Sequence, residues 1–164
     1  MVNIEKGGNK RLKELYMKIQ NKEGEEVQND LNEGVSEVAL KETEDRIGVR
    51  LPNDYREFLL RTNGGNLFNH TIELTEVHDK SKGGRKEGVG YLDKEIFTRG
   101  NEYGVPEGYL VVSDTGYGDL VCLDTMSSKG RVAYWNHETK SVEQEWETFL
   151  DWLDEVVESS DSFV

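Results

Sequence analysis

Asp114-Thr115-Gly116 follows the apolar run Leu110-Val111-Val112. A carboxylate at the end of a buried strand is how an aspartic protease presents one of the two aspartates that share a proton. The sequence holds no second such triplet, and Tyr117 is bulky where those enzymes carry a small residue. A homodimer would have to supply the second carboxylate. The competing reading is a hairpin turn in which Asp114 caps its own backbone. Gly116-x-Gly118 lacks the third glycine and the following helix of a dinucleotide loop, and Asp114 and Asp119 flank it. His70, His78 and His137 show none of the spacings of a zinc site. His137 adjoins Glu138, but neighbours in a strand face opposite sides, which keeps them from converging as an acid/base pair. Cys122 sits inside an apolar strand and reads as a small buried hydrophobe rather than a nucleophile. No catalytic residue, metal or cofactor is expected.

Composition narrows the partners. The 164 residues carry a net charge of −13 and a pI near 4.7. Such a surface repels phosphate backbones and anionic lipid, so direct nucleic-acid binding is disfavoured, while a basic protein partner would be steered in. The sequence has no apolar run long enough to span a membrane and no apolar core of a signal peptide near Met1. With Cys122 alone there is no disulfide framework, so the expected location is the cytoplasm and the Asn69-His70-Thr71 sequon is idle.

Periodicity predicts the elements that must position these residues. A first helix covers Asn9 to about Ile19, with Leu12, Leu15, Tyr16 and Ile19 on one face. Asn21 to Gly34 reads as a mobile loop. Ser36 caps a second helix that ends at Gly48. Pro52 is placed in the first turn of a third helix, whose face is Tyr55, Phe58, Leu59 and Thr62 and whose stop is left-handed Asn63-Gly64. Asn66 to Leu74 is a short strand region, His78 to Gly90 an exposed loop, and Tyr91 to Phe97 a short helix or irregular segment. Tyr109–Ser113, Leu120–Asp124 and Arg131–His137 form an antiparallel meander, with the turn Asp114–Asp119 in its first hairpin. Glu143 to Val157 is read as the last helix, with Trp146 on its apolar stripe and an acidic outer face; Ser159 to Val164 frays. The whole is predicted to be one α+β domain over 1–164, a single antiparallel-rich sheet flanked by helices at both ends.

The residues Glu44, Gly48, Leu51-Pro52, Asp54-Tyr55, Phe58-Leu59 and Asn63-Gly64-Gly65, followed by Val105-Pro106-x-Gly108, Leu110-Val111-Val112, Gly116-x-Gly118-Asp119, Leu123-Asp124, Tyr134-Trp135-Asn136-His137-Glu138 and Trp146-Glu147-x-Phe149-Leu150-x-Trp152-Leu153, resemble the SUKH superfamily of Smi/Knr-like proteins. The resemblance covers roughly Val35 to Val157. It implies an α+β fold without enzymatic activity and, for the bacterial type, an immunity protein that blocks a cognate toxin, often a nuclease. An acidic inhibitor would occupy the positive surface such a toxin offers its substrate. The expected contacts are Asp114, Tyr117 and Asp119 on the turn, Trp135, His137 and Glu138 at the strand end, and Tyr91. The alternative is a small-molecule or peptide-binding scaffold of the same fold, with the turn glycines letting a ligand approach the sheet.

Overall fold

The computed structural model describes residues 9–82 and 104–160. Among them seven strands form one antiparallel sheet in strict chain order. They are β1 (Asp30–Leu31), β2 (Gly65–Leu67), β3 (Ile72–Leu74), β4 (Tyr109–Asp114), β5 (Leu120–Asp124), β6 (Val132–Asn136) and β7 (Ser141–Trp146). The helices are α1 (Lys10–Asn21), α2 (Glu37–Ile47), α3 (Asn53–Arg61) and α4 (Phe149–Glu158), with a short 3-10 turn at Lys80–Lys82. This is the α+β architecture the sequence predicts.

Local chemistry sets the helix ends. Asn9 caps α1 by accepting the amide of Leu12, and its amide group donates to Asp54 at 3.0 Å. Ser36 caps α2 through the amide of Ala39, and Gly48 closes it at φ +76°. In α3, Pro52 is the N-cap at ψ 146°, one residue before the predicted position. The helix stops because Thr62 turns extended at φ −143°, not because of left-handed Asn63-Gly64. Asn63 instead holds Val77 from both sides: its Oδ1 accepts the Val77 amide and its Nδ2 donates to the Val77 carbonyl, each at 2.7 Å. Glu44 joins the two helices, accepting the Leu51 amide at 2.8 Å and Arg56 Nε at 2.9 Å.

Four expectations need correction. Residues 141–146 form strand β7, and the last helix begins only at Phe149, where Thr148 accepts the amide of Asp151. Trp146 therefore belongs to the sheet, and its indole donates to Glu155 of α4. The Asn21–Gly34 loop contains β1, and Asn69 fastens it by accepting the Gln28 amide and donating to the Glu26 carbonyl at 2.7 Å. The segment from His78 starts buried: Asp79 is only 2% exposed and accepts the amides of Ser36 and Ser81. Burial by itself would raise the Asp79 carboxyl, but the hydrogen bonds from Ser81 and Ser36 outweigh it and hold it at about 2. At the other end of the chain Ser160 is buried, its hydroxyl on the Val157 carbonyl.

The main core lies between the helices and one sheet face. Leu12, Leu15, Tyr55, Phe58, Leu59, Leu110, Val112, Val121, Leu123, Val132, Phe149 and Leu153 meet there, with Phe149 tilted against both Tyr55 and Phe58 at about 5 Å between centroids. The opposite face carries a smaller cluster of Val105, Val111, Leu120, Cys122 and Trp135. Burial pushes the Cys122 thiol up to about 12, as expected of a packing residue. α1 crosses α4, and the acidic outer face of α4 is partly paired there: Arg11 reaches Asp151 at 2.6 Å, and Lys18 reaches Asp154 and Glu158 at 3.2 and 2.7 Å.

Candidate functional site

Antiparallel pairing in chain order puts alternate turns at the same end of the sheet. Three turns meet one end: residues 68–71 between β2 and β3, 115–119 between β4 and β5, and 137–140 between β6 and β7. Among the described residues every non-glycine with positive φ is here: Phe68, Asn69 and His70 in succession, and Lys140. A bulky residue in that region is a backbone outlier. Phe68 is held there by burial of its ring, by its amide bond to Asn29 Oδ1 and by the Thr71 hydroxyl on its carbonyl.

Asp114 accepts the Gly116 amide at 2.7 Å, the self-capped turn that competes with a protease reading. Glu73 lies directly across from Asp114 on the neighbouring strand. Like charges in that relation repel. At the tip Tyr117 is 83% exposed.

Asp119 organises the two later turns. Its Oδ1 accepts the His137 amide at 3.0 Å and stands 2.7 Å from His137 Nδ1, while its Oδ2 accepts the Tyr134 hydroxyl at 2.7 Å. Burial would raise the Asp119 carboxyl, but the His137 amide, the His137 ring and the Tyr134 hydroxyl outweigh it and keep it below its ordinary value. An ionised carboxylate only accepts, so Nδ1 carries a proton toward it. Gly118, at φ +91°, lies against the same ring: a Cβ there would stand 3.0 Å from the imidazole. Burial first and Asp119 second push the Tyr134 hydroxyl up to about 12.

Of the residues singled out from sequence, Asp114, Tyr117, Asp119, His137 and Glu138 are brought to this one end. His137 finds Asp119 rather than Glu138 as its partner. Trp135 is 5% exposed in the smaller cluster, where it supports the turns from beneath instead of presenting its ring. Tyr91 lies outside the described residues. Sequence reasoning missed Glu73, Tyr134 and the Asn69-His70 turn; the Asn-rich run Asn66 to Asn69 was the available signal for the last. Elsewhere an open groove of about 480 Å³ runs past Lys41, Glu44, Asp45, Arg50 and Arg56, but Lys41 and Arg56 are paired there with Asp45 and Glu44. No group of three His, Cys, Asp or Glu among the described residues is arranged to hold a metal ion. None of the described helices is long and apolar enough to cross a membrane.

The sequence model of the SMI1 / KNR4 family (SUKH-1) matches residues 34–155. Uncharacterized protein YnaB of Bacillus subtilis (strain 168) is 31% identical over 96 residues, 58% of this chain and 54% of that protein, so the match spans about half of that relative. A crystal structure of a protein from Pseudomonas syringae pv. tomato shares the fold at a TM-score of 0.65 and 23% identity, covering 90% of this chain and 99% of that one.

Proposed function

Because the chain belongs to the SMI1 / KNR4 family (SUKH-1), we propose that it is a bacterial, cytoplasmic immunity protein that binds a toxin domain and neutralises it without catalysis. The observation that carries this reading is the gathering of Asp114, Tyr117, Asp119, His137 and Glu138, with Glu73 beside them, on one turn-built end of the sheet. A basic surface laid on that end relieves the repulsion between Glu73 and Asp114 and is drawn in by the overall −13 charge. Tyr117 is already extended into solvent and supplies an aromatic anchor. The Asp119 hydrogen bonds hold the turns in place before binding, which lowers the ordering cost of association. A nuclease domain is the toxin class such a surface fits, because it offers a positive face to its substrate.

The test is coexpression with the product of the adjacent reading frame. The toxin domain is expected to copurify with this chain, lose its activity in the complex, and escape from a Tyr117→Ala/Asp114→Lys variant. A neighbouring toxin that neither copurifies nor is inhibited overturns the reading.

A further inference from the structure

β7 ends the sheet order among the described residues, so its far side carries backbone N–H and C=O groups that β6 does not use. The opposite edge, β1, is only two residues long and offers little to pair with, whereas β7 runs for six. Ser141, Glu143, Gln144 and Glu145 are exposed along it, and Glu147 follows. No lysine or arginine occurs between 141 and 147. The strand is also fixed in advance. Val142 packs into the smaller cluster, Trp146 is tied to Glu155, and Asn136 caps the turn that feeds the strand by accepting the amides of Glu138 and Thr139 at 2.9 and 3.0 Å.

We propose that the outer edge of β7 is a docking surface that takes an extended basic segment of a partner protein as an added antiparallel or parallel strand. Glu143 and Glu145 lie within the strand and Glu147 just beyond it, so acidic side chains flank a segment added at this edge. Glu143 is the extra residue of a bulge opposite Tyr134 and Trp135, and its carboxylate is steadied by the Asn136 amide at 2.6 Å. Arg131 meets Glu145 only in a long ion pair, 3.9 Å, beyond hydrogen-bond distance. A second copy of this chain is the wrong occupant. Two-fold pairing of β7 with itself sets glutamates against glutamates, and like charges facing each other across strands are destabilising. The acidity therefore guards the edge against self-association while leaving it open to a strand of opposite charge. The edge begins where the turn at 137–140 ends, so it continues the toxin-facing surface, yet the inference goes beyond that reading and needs only a basic extended ligand.

The probe is a capped eight-residue peptide of alternating lysine and threonine, added to the full chain and followed by calorimetry and amide hydrogen exchange. The expected result is saturable binding with at least tenfold slower exchange of the outward amides within 141–146. Binding should weaken at least tenfold with Glu143→Lys/Glu145→Lys, and also with the milder Glu143→Gln/Glu145→Gln should the reversal impair folding. N-methylation of alternate peptide nitrogens should abolish it, and a glutamate-threonine peptide should not bind. Binding that survives N-methylation, or that leaves 141–146 unprotected, overturns the proposal, as does failure of the lysine peptide to bind. Tyr117→Ala leaves peptide binding unchanged, so failure here and failure of the immunity reading are told apart.

Discussion

Asp119 and His137 are joined twice, backbone amide and imidazole Nδ1 both meeting one carboxylate oxygen, at 3.0 and 2.7 Å. This fastens the tip of one hairpin to the next. Asp119→Asn keeps the shape and removes the charge, so it should lower unfolding free energy by about 1–3 kcal/mol in urea titration. The same variant should shift the ¹⁵N signals of the His137 ring, because an amide no longer imposes the Nδ1–H tautomer.

Gly116 and Gly118 separate backbone strain from crowding. Both have positive φ, +76° and +91°, but only Gly118 lies against a side chain, the His137 ring. Gly116→Ala should lose about 1 kcal/mol and leave the His137 signals in place. Gly118→Ala should lose more and displace the ring, read as a changed His137 spectrum.

Asp79 predicts an acid limb. Its folded value of about 2 lies below its ordinary 3.8, so the unfolded chain takes up the proton first. The stability this group contributes, about 2 kcal/mol by linkage, is present above pH 4 and is lost as the pH falls toward 2. Denaturation profiles of the wild type and Asp79→Asn should therefore converge near pH 2 and separate above pH 4.

Gly34 has an ordinary φ, but a Cβ there would collide with the Leu60 carbonyl. Gly34→Ala should be among the most damaging alanine substitutions, at about 3 kcal/mol or more, since backbone must move. Gly24 meets nothing within 4 Å, and Gly24→Ala should be neutral or slightly stabilising in the same melts.

Glu44 and Arg56 should couple. Their ion pair is largely shielded, with side-chain exposures of 10% and 22%, and Glu44 also holds the Leu51 amide. A double-mutant cycle with Glu44→Gln and Arg56→Met should return about 0.5–3 kcal/mol of interaction energy. Truncation of Glu44 alone should be the more harmful single change.

The sequence was most legible where pattern and burial agree. α1, the Ser36 cap, Gly48 and the face Tyr55-Phe58-Leu59 stand where their spacing puts them, because each buries an apolar stripe. β7 was misread for a physical reason: an edge strand buries little, and Glu and Gln are good helix formers, so Ser141–Trp146 looks like the start of the amphipathic helix behind it. At the candidate site, alternation along the hairpins was enough to bring Asp114, Tyr117 and Asp119 to the end where His137 and Glu138 lie. It could not reveal that Tyr134, a residue of the core face, sends its hydroxyl to Asp119, nor that Phe68 adopts a left-handed backbone. Trp135 shows the converse limit, since one step along a strand separates a presented side chain from a buried one.

The uninterrupted strand order bears on how this end of the sheet can vary. The turn at 68–71 closes on itself through the Phe68 carbonyl, that at 115–119 through Asp114 and Asp119, and that at 137–140 through Asn136. Asp119 ties the second turn to the third through His137 and Tyr134, and Phe68 and Asn69 tie the first to residues 26–29. Residues at the tips of these turns can therefore be replaced while the sheet beneath stays the same, with substitutions at Asp119 or His137 felt in both later turns.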